Sequence, residues 1–256
     1  MTALALLSAV LVGLSLGVLG SGGSILTVPL LVYLVGQPEK VAIAGSLAMV
    51  GGIAFVGALP WARRGEVEWR SVVWFGLPGM LGTVLGAHLS QWISGSVQLL
   101  LFAAVMAVAA WRMLGPVAVD GGAAAPRSRS WVVLDGLGVG LLTGLVGVGG
   151  GFMIVPALVL LGGLPMHRAV GTSLWIIVLN AFSGFFKHLW VLEAAGLSLD
   201  WHLLGLLTGV GAIGSLTRQR LAARLPQAQL RRGFAVLLVL MGLFIIWREL
   251  PVVLAG

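Results

Sequence analysis

The sequence predicts an all-α polytopic membrane protein of two inverted repeats, each with five apolar segments and a short broken or re-entrant helix after a glycine turn. Three observations predict it. Only 9% of the 256 residues are charged, 59% are hydrophobic, and the mean hydropathy is +1.08. A soluble domain carries about 25% charged residues, so a cytosolic globular enzyme is excluded. The glycines and prolines of the first half recur in the second at a fixed offset. Finally, the basic residues collect on one side of a membrane when each half holds an odd number of segments.

At an offset of 127, Gly13, Gly17, Gly20, Gly22 and Gly23 fall on Gly140, Gly144, Gly147, Gly149 and Gly150. Val28-Pro29 falls on Val155-Pro156, Pro38 on Pro165, and Ser46-Leu47 on Ser173-Leu174. Five extra residues in the following loop move the offset to 132, where Trp69, Gly79 and Gly82 meet Trp201, Gly211 and Gly214. Apolar residues recur by chance; glycines and prolines at one offset do not, and the pattern marks a duplication.

The segments are 4–19, 24–35, 41–60, 71–92 and 97–114, then 132–146, 152–162, 170–187, 202–217 and 233–249. Residues 1–114 form a first membrane repeat and 131–256 a second. Between them 115–130 (GPVAVDGGAAAPRSRS) is small and polar, as a cytoplasmic linker would be. The apolar N-terminus lacks a basic leader region and has a counterpart in the second half, so it reads as structure and not as a cleaved signal. The second segment of each half is too short, since twelve helical residues cover about 18 Å of a hydrocarbon layer about 30 Å thick. Segments one and two of each half either cross as thin spans, form a re-entrant hairpin, or merge into one broken helix.

Charge separates the last option from the others. With five segments per half and both termini outside, twelve basic residues, Arg63 to Arg232, lie inside, against Lys40, Lys187 and Arg248 outside. With four spans per half the split is eight to seven. The positive-inside rule favours the odd count, so the second repeat must insert upside down relative to the first, as in many transporters of the inner membrane. Trp61, Trp69, Trp92, Trp111, Trp131, Trp190, Trp201 and Trp247 fall near segment ends, where an interfacial belt is expected, and Trp175 falls inside a segment.

The glycine turns, Gly20-Ser21-Gly22-Gly23 and Gly147-Val148-Gly149-Gly150-Gly151, each open a short helix. The first N–H groups of a helix lack internal partners and carry the positive end of its dipole, and glycine admits a ligand close to them. That makes an anion site without formal charge, and interrupted helices at matching places in two repeats point to a transporter's binding site. Gly22, Gly23 and Ser24 would face Gly149, Gly150 and Gly151 near the midplane. The competing reading is close helix packing. At the start of the third segments, Ser46 and the pair Thr172 and Ser173 place hydroxyls that can donate to an oxyanion, or can serve as caps and back-bonds. Asn180, deeper in the same segment, is a ligand contact or an interhelical hydrogen bond.

No acidic residue lies well inside a predicted segment, so a carboxylate proton relay has no candidate. His88, and Lys187 with His188, can titrate or neutralise an anion on its path, or simply reach the interface. There is no cysteine, no H-E-x-x-H and no G-x-S-x-G, and the histidines have no acidic cluster beside them. Catalysis, a metal and a cofactor are therefore not expected. The basic run Arg218 to Arg232 reads as a cytoplasmic loop and not as a nucleic-acid surface.

At these residues a resemblance appears. Gly147-Val148-Gly149-Gly150-Gly151-Phe152 running to Val155-Pro156, then Gly163-Leu164-Pro165 and Ala169-Val170-Gly171-Thr172-Ser173-Leu174, resembles the TauE/SafE family of membrane permeases over nearly the whole chain. The resemblance implies transport of sulfite, sulfonates, sulfoacetate or related anions. The first copy departs from the pattern: Ser24 stands for the third glycine and Ala44-Gly45 for Gly-Thr, which leaves fewer hydroxyls in that half. The expectation is a transporter of small sulfur-containing anions, monomeric or homo-oligomeric, with lipid and the anion as its partners. An anion channel of the same architecture and a non-transporting assembly factor are the alternatives.

Overall fold

A computed structural model describes residues 3–19, 22–114, 129–147, 151–160, 164–216 and 227–255. No strand occurs among them, and each half contributes five helical segments. In the first half these are α1 (Ala3–Leu19), α2 (22–34), α3 (Glu39–Arg63), α4 (Trp69–Trp92) and α5 (Gly95–Leu114). In the second they are α6 (Arg129–Val146), α7 (Gly151–Leu160), α8 (Met166–Ala194), α9 (Trp201–Leu216) and α10 (Gln227–Ala255). The linker expected at 115–130 lies almost wholly outside the described residues.

The short second segments are real helices with a local cause. Residues Gly22–Leu26 form a 3-10 turn, Thr27–Pro29 an α-turn and Leu30–Leu34 a π-turn. Pro29 has no N–H for the carbonyl one turn back, so the hydrogen-bond register changes around it. Gly36, at φ +79°, then turns the chain so that Pro38 can open α3. α2 touches α1 along its length: a Cβ on Gly23 would lie 2.8 Å from the Leu16 nitrogen, and the π-turn also contacts α1. The chain therefore doubles back between the first two segments, and the merged-helix option is excluded.

Among the described residues, three helices are long and apolar enough to cross a membrane: Glu39–Arg63, Trp69–Trp92 and His167–Ala194. Of their apolar windows, 78% of α3 and 72% of α8 are buried in the protein, against 44% of α4. α3 and α8 are therefore the axis of the molecule, while α4 shows a face to its surroundings. That face is apolar, with Leu81 and Leu85 exposed, and α9 and α10 likewise expose Ile213, Leu240 and Leu243, as lipid contact requires. Seven of the eight tryptophans expected in a belt are exposed; Trp61 is instead buried against Gly171, where a Cβ would stand 3.0 Å from its own. Trp175, inside its segment, is half-buried, with ring contacts to Phe55 at 5.9 Å and Trp69 at 5.4 Å between centroids.

Contacts between the halves repeat under the sequence offsets. Gly13 of α1 lies on the backbone of Gly211 in α9, and its counterpart Gly140 of α6 lies on Gly79 in α4. Gly57 of α3 abuts Ser215 of α9, and Gly184 of α8 abuts Thr83 of α4. Each half thus lays its first segment on the fourth segment of the other, with backbone approach that only glycine permits. α3 and α8 run antiparallel: Val41 and Ala44 pack with Leu192 at one end, Gly51 meets Ala181 in the middle, and Trp61 meets Gly171 at the other. α5 and α10 pair outside this core through Phe102, Met106 and Leu238.

Candidate functional site

The second glycine turn begins where α6 ends. Gly147 has φ +79°, and a Cβ there would stand 2.8 Å from Ile43 Cγ2 of α3, so both its conformation and its surroundings demand glycine. The last carbonyls of a helix lack internal donors. Here they are met from both halves: the Ser46 hydroxyl of α3 donates to the Gly147 carbonyl, and Nε2 of His188 on α8 lies 2.8 Å from the Gly144 carbonyl oxygen. Ser46 also lies 2.8 Å from the Ile43 carbonyl oxygen, so its single proton is committed to backbone in this conformation. The first turn of α2 is in contact with α7, so the two short helices meet.

The predicted residues fall in three places. Ser46 belongs to the Gly147 turn, about 8 Å along α3 from Gly51, where α3 crosses α8. Thr172 and Ser173 belong to the opposite end of the antiparallel pair. There the Thr172 hydroxyl accepts the Glu68 N–H at 2.9 Å, and the Ser173 hydroxyl donates to the Val170 carbonyl at 2.8 Å. Asn180 lies between, close to the crossing. In the first half, Gly22 opens the 3-10 turn of α2, Gly23 seats it on α1, and the carbonyl of the buried Ser24 accepts the Thr27 hydroxyl at 2.6 Å. Gly151 is the buried first residue of α7, while Gly149 and Gly150 lie outside the described residues.

Asn180 is the polar group that stands out. It is fully buried, yet neither Oδ1 nor Nδ2 has a hydrogen-bond partner among the described residues. The interhelical hydrogen bond expected as one option is not made among them. The carboxamide faces Gly79 of α4, where a Cβ would fall 2.6 Å from Oδ1 and 2.9 Å from Nδ2. Thr83, one turn on, donates to the Gly79 carbonyl at 2.8 Å. The counterpart of Asn180 in the first half is Ile53, which packs against Gly211, the counterpart of Gly79. A buried amide left unpaired costs about 1–3 kcal/mol, and the duplication shows that an isoleucine fills the equivalent space.

His88 is exposed, with its ring edge-on to Trp92 at 4.8 Å between centroids and its Nδ1 3.2 Å from Gln91 Nε2. Lys187 is half-buried and points its ammonium over Trp190, 5.6 Å from the ring centroid. Both sit beside belt tryptophans. Among the described residues, the titratable groups inside the protein are His188 and Glu249. His188, 2% exposed, continues the buried stripe Ile177, Ala181 and Gly184 of α8, a helical period visible in the sequence. Glu249, 5% exposed, corrects the reading that no acid lies inside a segment. The apolar run stops at Glu249, but the helix goes on to Ala255 and carries it into the packed region, in step with Leu238 and Ile245.

A family model described as sulfite exporter TauE/SafE matches residues 5–245. A "Probable membrane transporter protein" of Xylella fastidiosa strain Temecula1 is 36% identical over 255 residues, covering 93% of this chain and 92% of its own. A protein of the same description from Haemophilus influenzae is 26% identical over 256 residues, covering 94% and 96%. The "Probable membrane transporter protein YunE" of Bacillus subtilis is 28% identical over 209 residues, covering 70% and 77%. No solved structure matches the chain. An all-helical chain with an apolar outer face, paired glycine contacts between its halves and this match over nearly its whole length is a membrane transporter protein, and it belongs to the sulfite exporter TauE/SafE family.

Proposed function

We propose that this chain moves small sulfur-containing anions (sulfite, a sulfonate or sulfoacetate) across the inner membrane by alternating access between two inverted repeats. The observation that carries the site is Asn180: a buried carboxamide without a partner, beside Gly79, on the helix that forms the axis of the molecule. Buried polar groups are normally hydrogen-bonded, so this amide is the natural donor for a ligand in another state. The groups buried with it at the ends of α3 and α8 and in α2 are the hydroxyls of Ser24, Thr27, Ser46, Thr172 and Ser173 and the imidazole of His188. Such a set holds an oxyanion through neutral donors and spares the membrane interior a fixed cation.

The antiparallel run of α3 and α8 supports inverted topology, the charge count favours both termini outside, and the exchanged glycine contacts relate the repeats by a pseudo-two-fold axis. The glycine turns, Gly22–Ser24 and Gly149–Gly151, are the anion's backbone donors, facing each other across the repeats, and the Asn180 amide is a further donor on its path. Purified protein in liposomes tests this with sulfite, thiosulfate, sulfoacetate, sulfate and acetate. Saturable uptake of sulfur anions with counterflow is expected, and its loss in Gly150→Leu assigns the turn. Uptake of carboxylates alone refutes the substrate class, linear flux without counterflow marks a channel, and full uptake by Gly150→Leu refutes the site.

A further inference from the structure

We propose that Glu249 is a proton-coupling site, whose carboxyl group binds and releases one proton per cycle and conveys that state through Tyr33 to α2, the helix carrying the first glycine turn. The inference rests on the transport reading above. Glu249 is the buried acid among the described residues, and six residues of α10, about 9 Å, follow it. Ionisable side chains buried in membrane helices are costly and mark ion pathways.

The surroundings of Glu249 join two elements. The hydroxyl of Tyr33, the single tyrosine of the chain, donates to Glu249 Oε1 at 3.3 Å. Tyr33 sits on the π-turn of α2, the kind of irregular turn where hydrogen bonds can slip by one residue. Two further contacts from α10 hold its ring: the Arg248 guanidinium 5.1 Å from the centroid, and Phe244 edge-on at 5.1 Å. From α3, Glu39 is the other acid within electrostatic reach of Tyr33. From α5, the packed residues Leu99 and Phe102 are apolar.

As a carboxylate, Glu249 accepts a charge-assisted hydrogen bond from the phenol, with the Arg248 charge beside the same ring. One proton from solvent converts it to a neutral acid; the bond to Tyr33 becomes an ordinary one and the grip of α10 on α2 loosens. The anion binds the same helix at its other end, at Gly22–Ser24. Two ligands that bias one movable element are coupled by necessity.

The test compares wild type, Glu249→Gln and Tyr33→Phe in two settings. In liposomes, sulfite accumulation driven by a pH gradient is measured beside sulfite–sulfite exchange at equal pH. Glu249→Gln is expected to lose roughly tenfold or more of the driven accumulation while exchange stays within about twofold, and Tyr33→Phe to lose several-fold. Driven accumulation by Glu249→Gln at the wild-type level overturns the proposal. In detergent, without any transported anion, melting temperature is followed from acid to alkaline pH. A gap between wild type and Glu249→Gln that varies with pH is expected, and a constant gap overturns the proposal whatever the substrate is. A varying gap in a protein that moves no sulfur anion defeats the transport reading alone. If Glu249→Gln does not assemble, Tyr33→Phe carries both comparisons.

Discussion

Replacing Gly140 with alanine tests the central packing device of the fold. A Cβ on Gly140 would stand 2.8 Å from Gly79 Cα and closer still to its carbonyl oxygen, both backbone atoms that no rotamer change can move. Ordinary carbon contact needs about 3.5–4.0 Å, so α6 must retreat from α4 by roughly 1 Å along a seam that also holds Gly82, Gly86, Gly136 and Gly144. Overpacking of this kind costs about 1–3 kcal/mol, and backbone against backbone belongs at the upper end. Alanine returns up to about 1 kcal/mol of helix propensity, which leaves a net loss of roughly 2 kcal/mol. Gly138, on the same helix, is the internal control: it is exposed, with nothing within 4 Å of a Cβ, and keeps only the propensity gain. The two variants therefore differ by roughly 3 kcal/mol, which at about 2–4 °C per kcal/mol is a gap of roughly 6–12 °C in melting temperature. The assay is loss of the monodisperse elution peak after heating, with Gly140→Ala and Gly138→Ala side by side. Equal melting of the two would refute the close approach of α6 to α4, and with it the exchanged packing of the halves.

Three further outcomes are expected. Asn180→Leu should lower sulfite uptake by about tenfold or more without lowering the melting temperature, because an unpaired amide contributes no hydrogen bond to lose; a clear fall in melting temperature would show that it has a structural partner. Ser46→Ala should destabilise by about 1–3 kcal/mol, since the buried Gly147 carbonyl loses its donor, and an unchanged melting curve would contradict the cap. His88→Ala and Lys187→Met should each leave uptake within about twofold, since a ring or cation contact beside an exposed tryptophan is worth only about 0.5–1 kcal/mol; loss of uptake in either would restore it to the anion path.

Much of the architecture is legible in the residues alone, and for local reasons. Apolar run length marks each helix, Pro29 and Gly36 mark where α2 changes register and stops, and repeated glycines mark the close contacts between the halves. What stays hidden is which side chain meets which. Ser46 and Thr172 are offered by their spacing as one cluster of hydroxyls, yet the antiparallel crossing of α3 and α8 carries them to opposite ends of the helix pair. Lys187 and His188 stand together at a segment end as equal candidates, yet only His188 takes the buried face, because a step of one residue turns a helix by about 100°.

The sequence by itself determined that this is a helical membrane protein of the sulfite exporter family with two short, glycine-opened helices. Those properties depend on composition and on residues near one another in the chain. Only the tertiary structure decided which polar groups have partners. The proton of Ser46 goes to a carbonyl 101 residues away, and the phenol of Tyr33 reaches a carboxylate 216 residues away. The amide of Asn180 is left with none. In a low-dielectric interior those pairings set the energetics of each group, and no local pattern encodes them.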